Sequence, residues 1–134
     1  PVQDIQMFVA DGGEDYIVFN GPDEQFISGR VMGARAGIGG TYGAMPELFL
    51  KLDNLIENKD YETARKLQYA INEIIYKMVS GYGNMYAVIK EILRINEGLN
   101  IGGVREPLTN LNESDIAIAK EAAMMIQKTK KEFL

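Results

Sequence analysis

Two acidic residues, Asp23 and Glu24, follow directly on the segment Val18-Phe19-Asn20-Gly21-Pro22. Adjacent carboxylates behind an apolar run admit two readings. In one, Gly21 ends a strand, Pro22 takes the first position of a helix, and the acids meet the positive end of the helix dipole. In the other, the pair lies at the carboxyl end of a parallel strand, where α/β folds bind ligands. There the acids would accept hydrogen bonds from a polyhydroxylated ligand, and Gly21 would let its backbone come close.

A second stretch, Gly37-Ile38-Gly39-Gly40-Thr41-Tyr42-Gly43, has the composition of an anion cradle, a glycine-rich strand end ahead of a helix. It lacks the Lys-Ser/Thr pair of a phosphate loop and the glycine spacing of a dinucleotide site, so a tight strand-to-helix turn is the plainer reading. Tyr42 offers a hydroxyl, either as a proton donor or on a buried ring whose hydroxyl finds a partner. Lys90, flanked by Ile89 and Ile92, would form a Schiff base only if desolvated; on a polar helix face it is an ordinary solvated lysine. Met124-Met125 reads as helix packing, and Lys128, Lys130 and Lys131 as complements to a helix C-terminus.

What is missing narrows the chemistry further. The 134 residues contain no Cys and no His, which removes thiolate nucleophiles, zinc-thiolate sites and every histidine-dependent triad. No metal site or cofactor is expected. A net charge of −5 speaks against a nucleic-acid partner, which needs a basic footprint. No apolar run approaches the roughly 18 residues of a membrane span, and the opening PVQDIQMF lacks the features of a signal peptide. A cytoplasmic setting is the default expectation. With 46% hydrophobic and 25% charged residues the chain reads as globular. It starts on Pro1 with a helical pattern running from the terminus, as expected of a piece of something longer.

The elements that must position these residues follow from periodicity. Val2, Ile5, Phe8 and Val9 predict a helix over 2–10, closed by Gly12-Gly13. The run 16–19 predicts a strand buried on both faces, a helix follows over about 23–32 burying Phe26, Ile27 and Val31, and 34–39 predicts a second buried strand. Met45-Pro46-Glu47 opens a helix carrying Leu48, Leu52, Leu55 and Ile56. Asp60 caps a long helix through Met78, and the next helix, with Tyr86, Ile89 and Leu93, stops at Gly98. After a loop over 99–111, Asn112 caps a final helix through Ile116, Ala119, Ala123 and Ile126. Residues 1–58 therefore read as βα units of a parallel sheet and 59–134 as an all-helical appendage. Two buried strands leave unpaired edges, so partner strands must come from an upstream segment or another chain.

The block VFNGPDEQFISGRVMGARAGIGGTYGAMPELF resembles the corresponding region of the N-acetylneuraminate lyase and dihydrodipicolinate synthase family. KLQYAINEII, YAVIKEILR and VREPL resemble its C-terminal helices and their connecting loop. The resemblance implies an α/β fold: the last two strands of a (β/α)8 TIM barrel, then a helical extension. It implies a class I aldolase or lyase that works through a lysine imine on pyruvate or a sugar acid. Gly-x-Asp-Glu resembles the sialic acid lyase branch more than the dihydrodipicolinate branch. By the same resemblance Gly21, Asp23 and Glu24 match residues that bind the sugar tail, and Ile38 and Gly39 lie near the pyruvate-derived imine. Gly40 stands where the lyases carry a serine that also touches the tail. The Schiff-base lysine, the proton-shuttling tyrosine and the pyruvate-carboxylate motif would all lie upstream. No catalytic residue is then expected in this chain, and its partners would be the upstream half of the barrel and further copies of itself in a homo-oligomer. A dihydrodipicolinate synthase or other 2-keto-acid aldolase on the same barrel remains an alternative, as does a non-catalytic half-barrel module that self-assembles.

Overall fold

A computed structural model describes all of residues 1–134. Its elements run α1 (Val2–Gly12), β1 (Phe19–Asn20), α2 (Phe26–Val31), β2 (Ala36–Gly37), α3 (Pro46–Glu57), α4 (Tyr61–Met78), α5 (Met85–Glu97) and α6 (Glu113–Phe133). Short 3-10 turns at Gly13–Asp15, Asp23–Gln25 and Thr41–Gly43 link the first of these. β1 and β2 pair in parallel, Phe19 opposite Ala36 and Asn20 opposite Gly37. The ladder is extended by the Arg35 N–H donating to Val18 and the Ile38 N–H donating to Asn20, both at 2.9 Å. Because the strands run the same way, the loops after Asn20 and after Gly37 emerge at the same end of the sheet.

The core lies between the helices. Leu48 and Leu52 of α3, Leu67, Ile71, Ile74 and Met78 of α4, Val88 and Ile92 of α5, and Ile126 of α6 are fully buried. Local signals start and stop these helices. The Asp60 carboxylate accepts from the Thr63 N–H, Gly98 closes α5 at φ 70°, and Asn112 forms a reciprocal capping box with Asp115. Arg30 fastens α2 to α3 through Asp53 and to the approach of β2 through the Ala34 carbonyl. Gly29 lets α2 lie directly on β1: a Cβ there would stand 2.3 Å from Asn20 Oδ1. No helix is long and apolar enough to cross a membrane.

Several expectations need correction. The strands are two residues long, and their flanks are not buried on both faces: Tyr16 is 70% exposed, Phe19 50% and Ile38 70%. Only one neighbouring strand is present for each, so the remaining edges and faces stand open. The helix expected from Asp23 begins as a 3-10 turn and becomes α-helical at Phe26. Val31 and Phe8 are exposed for the same reason as the strands. Lys130 does more than complement a helix end, since its Nζ pairs with Glu47 of α3 at 2.9 Å. Of the methionine pair, Met125 packs on the core and Met124 is exposed.

Asp115 joins the helix start of α6 to the turn before α5. Its carboxylate is buried and accepts from the backbone N–H groups of Asn112, Tyr82 and Gly83. The Asn112 N–H first, then those of Tyr82 and Gly83, hold its pKa below the usual carboxylate range against the opposing effect of burial. A depressed folded-state pKa stabilises above the unfolded value, about 3.9, and the gain is lost as pH falls through the folded value. Asp115→Asn is expected to lower the melting temperature at pH 7 and to flatten its decline between about pH 5 and 3. Thermal unfolding followed by circular dichroism checks this; a decline as steep as in the parent protein would place the titrating group elsewhere.

Candidate functional site

The two strand-end loops meet through one carboxylate. Asp23 is 7% exposed, and its Oδ2 accepts from the Thr41 N–H at 2.9 Å and from the Thr41 hydroxyl at 2.5 Å. Its other oxygen, Oδ1, is buried without a partner in the chain. Gly39 makes room for it, because a Cβ there would lie 1.6 Å from Oδ1. Of the two readings of Asp23, the helix-start one needs revision: the carboxylate turns away from its own helix and across to the second loop.

The remaining candidates surround that pair. The Glu24 side chain is exposed and free of hydrogen bonds to the chain, while its carbonyl accepts from Asn72 of α4 at 3.1 Å. Gly21 is exposed with open space where a side chain would stand, and Ile38 projects outward beside the ladder. Gly40 faces α5, where a Cβ would come within 2.7 Å of the Tyr86 ring. Gly21, Asp23, Glu24, Ile38, Gly39 and Gly40 are thus gathered at one end of the sheet. None of them lines an enclosed cavity. The nearest cleft, about 260 Å³, opens between β2 and α3 and is lined by Phe26, Gly37, Tyr42 and Phe49 among others.

Tyr42 stacks on Phe49 with ring centroids 4.1 Å apart, and its buried hydroxyl has no partner within the chain, so the second of its two readings, a satisfied phenol, is not met. Burial first, then the charge of Asp23, pushes that phenol far above its ordinary value, so it stays protonated. Lys90 lies on α5, where its Nζ donates to the Gly103 carbonyl at 2.6 Å. All nine lysines fall at or after Lys51, on α3 to α6 and the turn between α3 and α4, so none stands at a strand end. Gln68, Asn72 and Tyr86 reach the loops from elsewhere without any local sequence signal; only a long-range contact reveals them.

A family model described as the dihydrodipicolinate synthetase family matches residues 2–127. The chain belongs to that family. It is 66% identical along its whole length to an N-acetylneuraminate lyase of Mediterraneibacter gnavus, of which it spans 42%. Among solved structures it matches the wild-type sialic acid aldolase of Ruminococcus gnavus with a TM-score of 0.98, covering all of this chain and 44% of that one. The N-acetylneuraminate lyase of Fusobacterium nucleatum matches at 28% identity and a TM-score of 0.79, covering 98% and 42%. The family member here has the fold of the C-terminal part of a TIM barrel and its helical extension. Its two-stranded sheet is a segment of the eight-stranded one.

Thr41→Val keeps the shape of the side chain but leaves Asp23 with a single donor. A lost hydrogen bond to a buried carboxylate is expected to cost about 2 kcal/mol, read from urea unfolding, while Thr41→Ser should cost less than half as much. Equal stability of Thr41→Val and the parent protein would show that the Thr41 hydroxyl adds nothing to the link between the loops.

Proposed function

We propose that this chain is the C-terminal portion of a pyruvate-dependent lyase that cleaves a sialic-acid-like sugar acid, N-acetylneuraminate, to N-acetylmannosamine and pyruvate. The observation that carries this reading is the 66% identity, over all 134 residues, to an N-acetylneuraminate lyase. The gathering of Asp23, Glu24 and the backbone of 38–40 at the carboxyl end of the sheet supports it, since barrel enzymes build their sites there.

The chemistry divides between the two parts of the barrel. An imine between a lysine and the substrate ketone is the electron sink when the carbon–carbon bond breaks. With no lysine at a strand end here, that residue belongs to the preceding part of the protein. Residues 1–58 contribute the end of the barrel and 59–134 the helical extension. Glu24, exposed and free, accepts hydrogen bonds from the hydroxylated tail of the substrate. Buried Asp23 holds the second loop and leaves Oδ1 available on the same side. Gly40 leaves the Tyr86 ring, in place of a longer residue-40 side chain, against that end of β2. The exposed flanks of β1 and β2 pair with the strands that complete the barrel. Assembly of complete barrels into a homo-oligomer belongs to the same reading.

Borohydride with pyruvate is expected to label the full-length protein and to leave this segment alone unlabelled; a labelled segment would overturn the division of roles. In the full-length protein Glu24→Gln is expected to raise KM for N-acetylneuraminate about tenfold or more with pyruvate trapping intact. An unchanged KM for the sugar acid would favour an aldolase acting on a different 2-keto acid.

A further inference from the structure

The helical extension reaches the strand-end acids through one buried glutamine. Gln68 stands on the inward face of α4, 2% exposed, among Ala64, Leu67 and Ile71. An amide in such a position is costly unless both of its ends are paired. Here they are, and most of the partners are backbone groups of the acid-bearing turn. Gln68 Oε1 accepts from the Ile27 N–H at 3.0 Å, and Nε2 donates to the Asp23 carbonyl at 3.2 Å. Nε2 also donates to Asn72 Oδ1 at 2.8 Å, and Asn72, one turn further on, donates to the Glu24 carbonyl at 3.1 Å. Three main-chain groups between residues 23 and 27 are therefore held by two side chains more than forty positions away.

That arrangement does something packing alone would not. A leucine or methionine at 68 would fill the same space in the aliphatic face of α4. The amide instead sets the height and tilt of the 3-10 turn Asp23–Gln25, and with it where the two carboxylates point. Asp23 has a second restraint in Thr41, whereas the Glu24 side chain has none within the chain. Its placement rests on its own backbone, and that backbone is held by Asn72.

We infer that Gln68 and Asn72 are positioning residues for substrate recognition: α4 of the extension aims Asp23 and Glu24 at the hydroxylated end of the sugar acid. This rests on the function proposed above. The extension is then a working part of the recognition site.

The test is made in the full-length protein with Gln68→Met, Asn72→Ala, Glu24→Gln and the Gln68→Met/Glu24→Gln double variant. Gln68→Met is expected to raise KM for the sugar acid about tenfold, and Asn72→Ala about threefold, because small misplacements of binding groups carry costs of that order. Borohydride trapping of pyruvate should not change, and the double variant should raise KM by less than the product of the two single factors, since the glutamine acts in part through Glu24. If Glu24→Gln raises KM while both Gln68→Met and Asn72→Ala leave it unchanged, the positioning role is refuted and the proposed function stands. If Glu24→Gln itself leaves KM unchanged, both fall. Should Gln68→Met not fold, Asn72→Ala, at the half-exposed end of the network, decides the question alone.

Discussion

A carboxylate buried between two parallel strand ends holds the two strand-end loops of this molecule in register. The ladder itself is only two residue pairs long, too little to fix the loops that leave it. What fixes them is Asp23, which accepts two hydrogen bonds from Thr41 across the sheet and fits only because Gly39 has no side chain. From the other side, Gln68 and Asn72 hold the carbonyls of Asp23 and Glu24. The loops are thus clamped between the sheet and a helix bundle into whose core Phe26, Ala44 and Met45 also pack. The helices hold most of the buried core, and the strand ends hold the candidate site.

The helices were legible in the sequence because their signals are local. Pro46, Asp60, Gly98 and Asn112 start or stop α3 to α6 where capping chemistry requires. The apolar spacing placed Leu48, Leu52, Ile71, Ile74 and Ile126 in the core. The strands were legible as apolar runs, but their burial was not, because burial depends on neighbours this chain does not contain. Tyr16, Phe19 and Ile38 have the residue types of an interior and stand exposed. The apolar runs report the fold of the whole barrel, and the exposure reports that only part of it is present.

The convergence of the candidate residues at one end of the sheet was legible in the sequence, but not how each is placed there. Asp23 and Glu24 look equivalent side by side, yet one is buried against Thr41 and the other is free in solvent. No local pattern separates them, since the difference comes from a residue 18 positions on. Gln68 reads as an unremarkable polar residue on an amphipathic helix until its partners at Asp23 and Ile27 are seen. The Tyr42 ring is only half-buried, and its hydroxyl has no partner within the chain. Long-range hydrogen bonds of this kind are where sequence periodicity carries no information.

The account divides labour within one barrel. In the proposed reading the lysine imine belongs to the preceding part, and this part contacts the substrate's hydroxyl groups. A crystal structure of the full-length protein with N-acetylneuraminate bound tests that claim most directly. The account predicts tail hydroxyls within about 3 Å of the Asp23 and Glu24 carboxylates and of the backbone over 38–40. A sugar acid whose tail runs away from these residues, with no hydrogen bond to either acid, would contradict it.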